Sequence, residues 1–147
     1  MVPSKILVPV DGSPASLRAL DFAIEMTEQN PDTLLVLLNV QNISAMDLAD
    51  ADLADAALGS DWQEAHSRAS TKALKEAVGK AEAAGINFKS IVRTGQTAEA
   101  IAQAAHDEFV EHIVMGTRGL GSIQGLLLGS VAMKVIHLAQ VPITLLK

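Results

Sequence analysis

Four short apolar runs and one alternating stretch, separated by longer stretches of helical periodicity, organise the chain. Ile6-Leu7-Val8-Pro9-Val10 is continuously apolar, the pattern of a strand covered on both faces. Asp11-Gly12-Ser13-Pro14 breaks it and supplies helix-start chemistry, a polar cap with proline in the first turn. Leu17, Leu20, Ala23, Ile24 and Thr27 then recur on one helical face until Asn30-Pro31-Asp32 stops it. Thr33 to Val40 is a second buried strand. From Gln41 to Gly59 the period is ambiguous. Asp47, Asp50, Asp52 and Asp55 alternate with Ala and Leu, as in a weak amphipathic helix or a mobile lid. Ser60/Gln63 and Asp61/Glu64 form overlapping capping boxes, which predict a long helix from there to Ala84, closed by Gly85. Gly79 inside it is a place for a kink.

Ile86 to Val92 alternates with period two and reads as an edge strand with one wetter face, followed by a loop over Arg93–Gln96. Thr97 to Asp107 is an Ala-rich helix with Ala98, Ile101, Ala102 and Ala105 inward. His112 to Met115 is a fourth strand, Val131 to Ala139 a last helix, and Val141 to Lys147 a fifth strand. Strict alternation of strand and helix predicts an α/β protein: a doubly wound, Rossmann-like, five-stranded parallel sheet in order 3-2-1-4-5, with helices on both faces. In that order strands one and four are neighbours whose crossovers leave in opposite directions. A ligand crevice then lies above their C-terminal ends.

Composition narrows the picture. A chain of 147 residues, nearly half of them apolar, fits one domain over 1–147 with a single good core. One Trp, three Phe and no Tyr leave little for stacking on bases, and a formal charge of −6 argues against a nucleic acid partner. The absence of Cys rules out disulfides, thiolate zinc sites and cysteine nucleophiles. No signal-peptide pattern and no apolar run of membrane-spanning length is present, so no membrane insertion and a cytoplasmic location are expected.

The candidate chemistry sits at the predicted crevice. Gly116-Thr117-Arg118-Gly119, nine residues and then Gly129-Ser130 link the fourth strand to the last helix. A strand, a glycine-rich loop and a helix N-terminus aim N–H groups and a positive dipole end at an anion. Glycine allows positive φ and close approach of backbone to phosphate. Arg118 adds a permanent cation, although a solvated surface role is the commoner fate of a lone Arg. Gly116 and Gly119, with Gly121 and Gly125, could equally make only a tight turn. Asp11 can meet ribose hydroxyls or a metal-bound water, or it can share helix capping with Ser13. The crevice argument favours a ligand role for Asp11. The P-loop and dinucleotide glycine patterns are missing. The four histidines, His66, His106, His112 and His137, are scattered, and the acidic run 47–55 lacks the glycine and terminal Glu of a calcium loop.

Val8 to Ser13 (V-P-V-D-G-S), Asn39-Val40, Val114-Met115-Gly116, the G-2x-G-9x-G-[ST] spacing and the terminal V-P-I-T-L-L together resemble the universal stress protein family, over essentially the whole chain. The glycine motif resembles that of the family's ATP-binding branch. The resemblance implies that Asp11 meets the ribose and that Pro9 and Val10 line the base and sugar site. By the same resemblance Val40 would offer backbone groups to adenine, Met115 and Gly116 would flank the ribose and first phosphate, and Arg118, Gly119, Gly129, Ser130 and Val131 would surround the phosphates, with Mg²⁺ bridging phosphate oxygens. It also implies a homodimer through Val141–Lys147, an apolar sheet edge that a solitary protein would protect. Glu111-His112 and Gln124-Gly125 depart from the family pattern. The expected function is that of a stress-response regulator that binds an adenine nucleotide (ATP, ADP or AMP) and signals through dimer or partner contacts. A slow Mg²⁺-dependent ATPase and a nucleotide-independent scaffold are the alternatives.

Overall fold

A computed structural model describes residues 2–41, 56–118 and 128–147, with side chains omitted over 56–67. Its elements run β1 (Lys5–Pro9), α1 (Pro14–Gln29), β2 (Leu34–Gln41), α2 (Ala56–Ala84), β3 (Phe88–Thr94), α3 (Thr97–Asp107), β4 (His112–Gly116), α4 (Ser130–Leu138) and β5 (Ile143–Leu146). The five strands form one parallel sheet in the order β3-β2-β1-β4-β5, as the alternation predicts. The acidic segment 47–55, with Gly119, Gly121 and Gly125, lies outside the described residues.

The core is two layers, one on each face of the sheet, because successive strand residues point to opposite sides. Ile6, Val8, Leu35, Leu37 and Val114 meet Ala19, Leu20 and Ala23 of α1 and Ala77 and Ala81 of α2. Leu7, Val36, Leu38, Ile113 and Met115 meet Ala98, Ile101, Ala104 and Ala105 of α3 and Ala132 and Val135 of α4. Every central strand is therefore apolar at consecutive positions.

Some expected boundaries and faces move. β3 is not Ile86–Val92. Gly85 takes φ +66 and donates to Glu82 O, while Ile86 N donates to Ala81 O, so Ile86 closes the helix instead of starting the strand. At the other end the expected loop residues Arg93 and Thr94 pair with Val40 and Gln41. α2 starts at Ala56, ahead of the expected capping boxes, because the good helix formers Ala56, Ala57 and Leu58 extend it, and it runs on through Gly79. On α1 the fully buried residues are Ala15, Ser16, Ala19, Leu20, Ala23 and Thr27, whereas Leu17 and Ile24 are half-buried. On α3, Ala104 takes the buried place expected of Ala102. β5 is shorter than Val141–Lys147, beginning after Pro142. Among the described residues no helix is long and apolar enough to cross a membrane.

Candidate functional site

β1 and β4 lie side by side, with Ile6 opposite His112 and Leu7 opposite Ile113. α1 leaves β1 toward β2, and α4 leaves β4 toward β5, so their C-terminal ends open a crevice at the topological switch point. Pro9, Val10, Asp11 and Ser13 are on one side of it, and Met115, Gly116, Arg118, Gly129, Ser130 and Val131 on the other. Gly119 lies outside the described residues.

The β1 side is a tight turn into α1. Asp11 Oδ1 accepts from Ser13 N at 2.8 Å, and Gly12 takes φ +83. A residue with a side chain is strained at that φ. Ser13 Oγ accepts from Ser16 N at 3.2 Å, so the hydroxyl caps α1. Ser13 and Val10 are buried, whereas Asp11 and Pro9 are half-buried.

Val40 joins the crevice through its backbone. Even-numbered residues of β2 face β1: Leu34 N donates to Ser4 O, and Val10 N donates to Leu38 O. The next even residue, Val40, carries its N–H and C=O past the end of β1.

The β4 side is built around Thr117, which is only 7% exposed. Its N–H donates to Leu146 O at 2.7 Å, and its carbonyl accepts from Gly129 N at 2.7 Å. One residue thus ties the loop's two stems together and fixes them to β5. Gly129 is the N-cap of α4, with φ −73 and ψ 164, and no side chain among the described residues caps this helix. No acidic residue occupies its first turn, so the dipole end stays positive. Arg118 is half-buried beside it and belongs to no ion pair among the described residues. Gly116 and Gly129 serve close approach here, not positive φ. A Cβ on Gly129 would sit 3.2 Å from Thr117 O, and one on Gly116 would sit 2.8 Å from Ala15 Cβ. Met115 points into the α3/α4 core layer, and Val131 is half-buried against it.

Groups with displaced pKa values at the N-terminal end of β4 belong to the fold. Hydrogen bonds from Ser4 N and Ser4 Oγ, both 2.8 Å, hold the Glu111 carboxyl below the usual carboxylate range. Burial pushes the His112 imidazole down, and its Nε2 lies 2.7 Å from Thr144 Oγ1. Both are at the opposite end of the sheet from the crevice.

Residues 3–147 match the Universal stress protein family. The chain belongs to this family. It is 32% identical over 146 residues to universal stress protein MJ0531 of Methanocaldococcus jannaschii, covering 97% of this chain and 81% of that protein. It is 27% identical over 151 residues to universal stress protein YxiE of Bacillus subtilis, covering 98% and 99%. The fold matches the structure of MJ0577 with a TM-score of 0.84 at 24% identity, covering 100% of this chain and 97% of that one. It also matches a universal stress protein in complex with cAMP (TM-score 0.72, 24% identity, 100% and 99% covered). A family protein of Arabidopsis thaliana with AMP bound follows at TM-score 0.70 (22% identity, 99% and 92% covered).

Sequence reasoning gave no role to two residues at the site, Thr117 and Asn39. Thr117 stood inside the glycine motif as a spacer. Asn39 is 3% exposed and donates from Nδ2 to Val10 O at 2.9 Å, bracing the end of β1. A buried polar residue at a strand end, before a change of direction, is the signal that could have marked it.

Proposed function

We propose that the chain is a regulatory protein that binds an adenine nucleotide in this crevice, with ATP·Mg²⁺ the first candidate and ADP or AMP close behind. The observation that carries the reading is the α4 N-terminus, uncapped among the described residues and held by Thr117 beside Arg118, at the end of the strand that neighbours β1. Phosphates would lie on Arg118, Gly119, Gly129, Ser130 and Val131. The ribose would lie between Asp11 and Gly116, with Pro9, Val10 and Met115 around the sugar and base, and adenine on the Val40 backbone. Ser13 serves this site through the loop it caps. Family members solved with cAMP and with AMP support an adenylate as the ligand class. Mg²⁺ would ride on phosphate oxygens and water, with Asp11 the nearby acid.

The same reading includes a homodimer. β5 is an edge strand, and Met133 and Ile136 are exposed on the adjoining α4. Antiparallel pairing of β5 across a two-fold axis would cover that edge. Signalling would pass through this dimer or through a regulatory protein.

Isothermal titration with ATP and Mg²⁺, and with AMP, tests the reading. We expect saturable heat with the wild-type chain and at least about a tenfold loss of affinity, or 1.4 kcal/mol, for Gly129→Val. Val tolerates the φ and ψ of this position, but its Cβ would sit 3.2 Å from Thr117 O, so circular dichroism and a urea midpoint are read beside the titration to separate lost binding from lost fold. No heat and no stabilisation with any adenine nucleotide would remove the proposal.

A further inference from the structure

The backbone ladder between β1 and β2 stops one bond short of its own register. It runs from Leu34 N donating to Ser4 O as far as Val10 N donating to Leu38 O, and the next bond in line is Val40 N to Val10 O. Among the described residues that bond is not made, and the paired positions end at Pro9 opposite Leu38. Val10 O takes its hydrogen from a side chain instead. Asn39 Nδ2 donates to it at 2.9 Å, from a residue only 3% exposed. The acceptor is a carbonyl oxygen, so the amide nitrogen of Asn39 is the atom that faces it.

A carbonyl at the buried end of a strand has to be satisfied. With Asn39 serving Val10 O, β1 is free to leave β2, and the chain turns at once through Asp11 and Gly12. Pro9 does the equivalent on the other side. β1 and β4 pair only at Ile6–His112 and Leu7–Ile113, because Pro9 has no N–H to continue that ladder. Asn39 and Pro9 thus part β1 from both neighbours at the floor of the crevice. The result on β2 is a Val40 N–H that points past β1 and is owed to no backbone acceptor among the described residues.

We propose that Asn39 is a positioning residue for the nucleotide base: by occupying Val10 O it keeps the Val40 N–H open as a donor to an acceptor nitrogen of adenine. Asn39 touches Val10, not the ligand. The base contact rests on the adenine-nucleotide reading, whereas the freed Val40 N–H rests on the ladder alone.

Hydrogen exchange of the full chain, with titrations of ATP·Mg²⁺ and of magnesium tripolyphosphate, tests the proposal in the wild type, Asn39→Leu and Asn39→His. Tripolyphosphate probes the phosphate cradle without a base. In the ligand-free wild type the Val40 amide should exchange at least about tenfold faster than that of Leu38, which lies in the ladder, and ATP should slow it. Asn39→Leu is close in size but lacks the donor. There Val40 N–H should turn to Val10 O and slow without ligand. ATP affinity should fall about fivefold, the worth of one neutral hydrogen bond, with tripolyphosphate affinity unchanged. Asn39→His carries Nδ1 at the same place along the side chain as Nδ2 and should restore both readouts.

A Val40 amide as slow as Leu38 in the ligand-free wild type would overturn the proposal, and this result decides alone should Asn39→Leu fail to fold. Equal losses for ATP and tripolyphosphate in Asn39→Leu, or no loss of ATP affinity, would also overturn it. If no adenine nucleotide binds the wild type while Val40 exchanges freely and Asn39→Leu slows it, the nucleotide reading fails and the hold of Asn39 on the ladder stands.

Discussion

Gly116→Ala separates packing from ligand binding at the glycine motif. The added Cβ would lie 2.8 Å from Ala15 Cβ, 2.9 Å from Ala15 C and 3.1 Å from Ala15 O. Two of these contacts are with backbone in the first turn of α1, which cannot rotate away. Restoring ordinary contact requires α1 to retreat from β4 by about half an ångström, a small-to-large change of the kind that costs about 1–3 kcal/mol. The opposing effect is chain entropy, which favours Ala over Gly by about 0.5–1 kcal/mol when the site can accept it. The sign therefore decides. Urea denaturation without nucleotide should show a lower midpoint at unchanged slope, with a net loss of about 1–2 kcal/mol. Adding Ala15→Gly removes the 2.8 Å contact but leaves both backbone contacts, so rescue should be partial. A Gly116→Ala protein as stable as the parent, or more stable, would refute the packing argument and return this glycine to the ligand alone.

Ser13→Ala removes the α1 cap and should cost about 1 kcal/mol by the same assay; no loss would show that the 3.2 Å bond to Ser16 N contributes nothing. Phe109 takes φ +53 at the end of α3 and is 80% exposed, so Phe109→Gly should stabilise by up to about 1 kcal/mol, and a destabilised variant would contradict the strain. Burial depresses the His112 pKa, so the unfolded chain binds a proton at pH values where the folded chain does not. Stability should be full above the usual histidine range and fall as pH drops through it, until the folded imidazole is protonated too. His112→Gln should flatten that segment of the profile, and an identical slope in the variant would rule out the assignment.

Strand order was legible because strands and helices alternate and crossovers are right-handed, while the consecutive apolar positions of β1, β2 and β4 fit a sheet covered on both faces. The rotation of α1 was not. Periodicity read by size favours Leu17 and Ile24, but α1 approaches β4 so closely at Gly116 that the small residues Ala15, Ser16 and Ala19 must face inward. The same lack of size contrast in an alanine stripe put Ala102 where Ala104 belongs. β3 was misplaced because Ile86 is apolar for the sake of a helix end, a local motif with no period. At the site, Asp11 and the glycines stand out by type and spacing. Thr117 and Asn39 do not, since their importance comes from burial between elements far apart in sequence.

Titration of the labelled chain with ATP·Mg²⁺, read amide by amide, tests the central claim most directly. The account predicts saturable changes that converge on Asp11, Val40, Gly116, Arg118, Ser130 and Val131, from strands and turns joined only by the switch point. Saturable changes that leave the Ser130 and Val131 amides still, or none at any concentration, would contradict it.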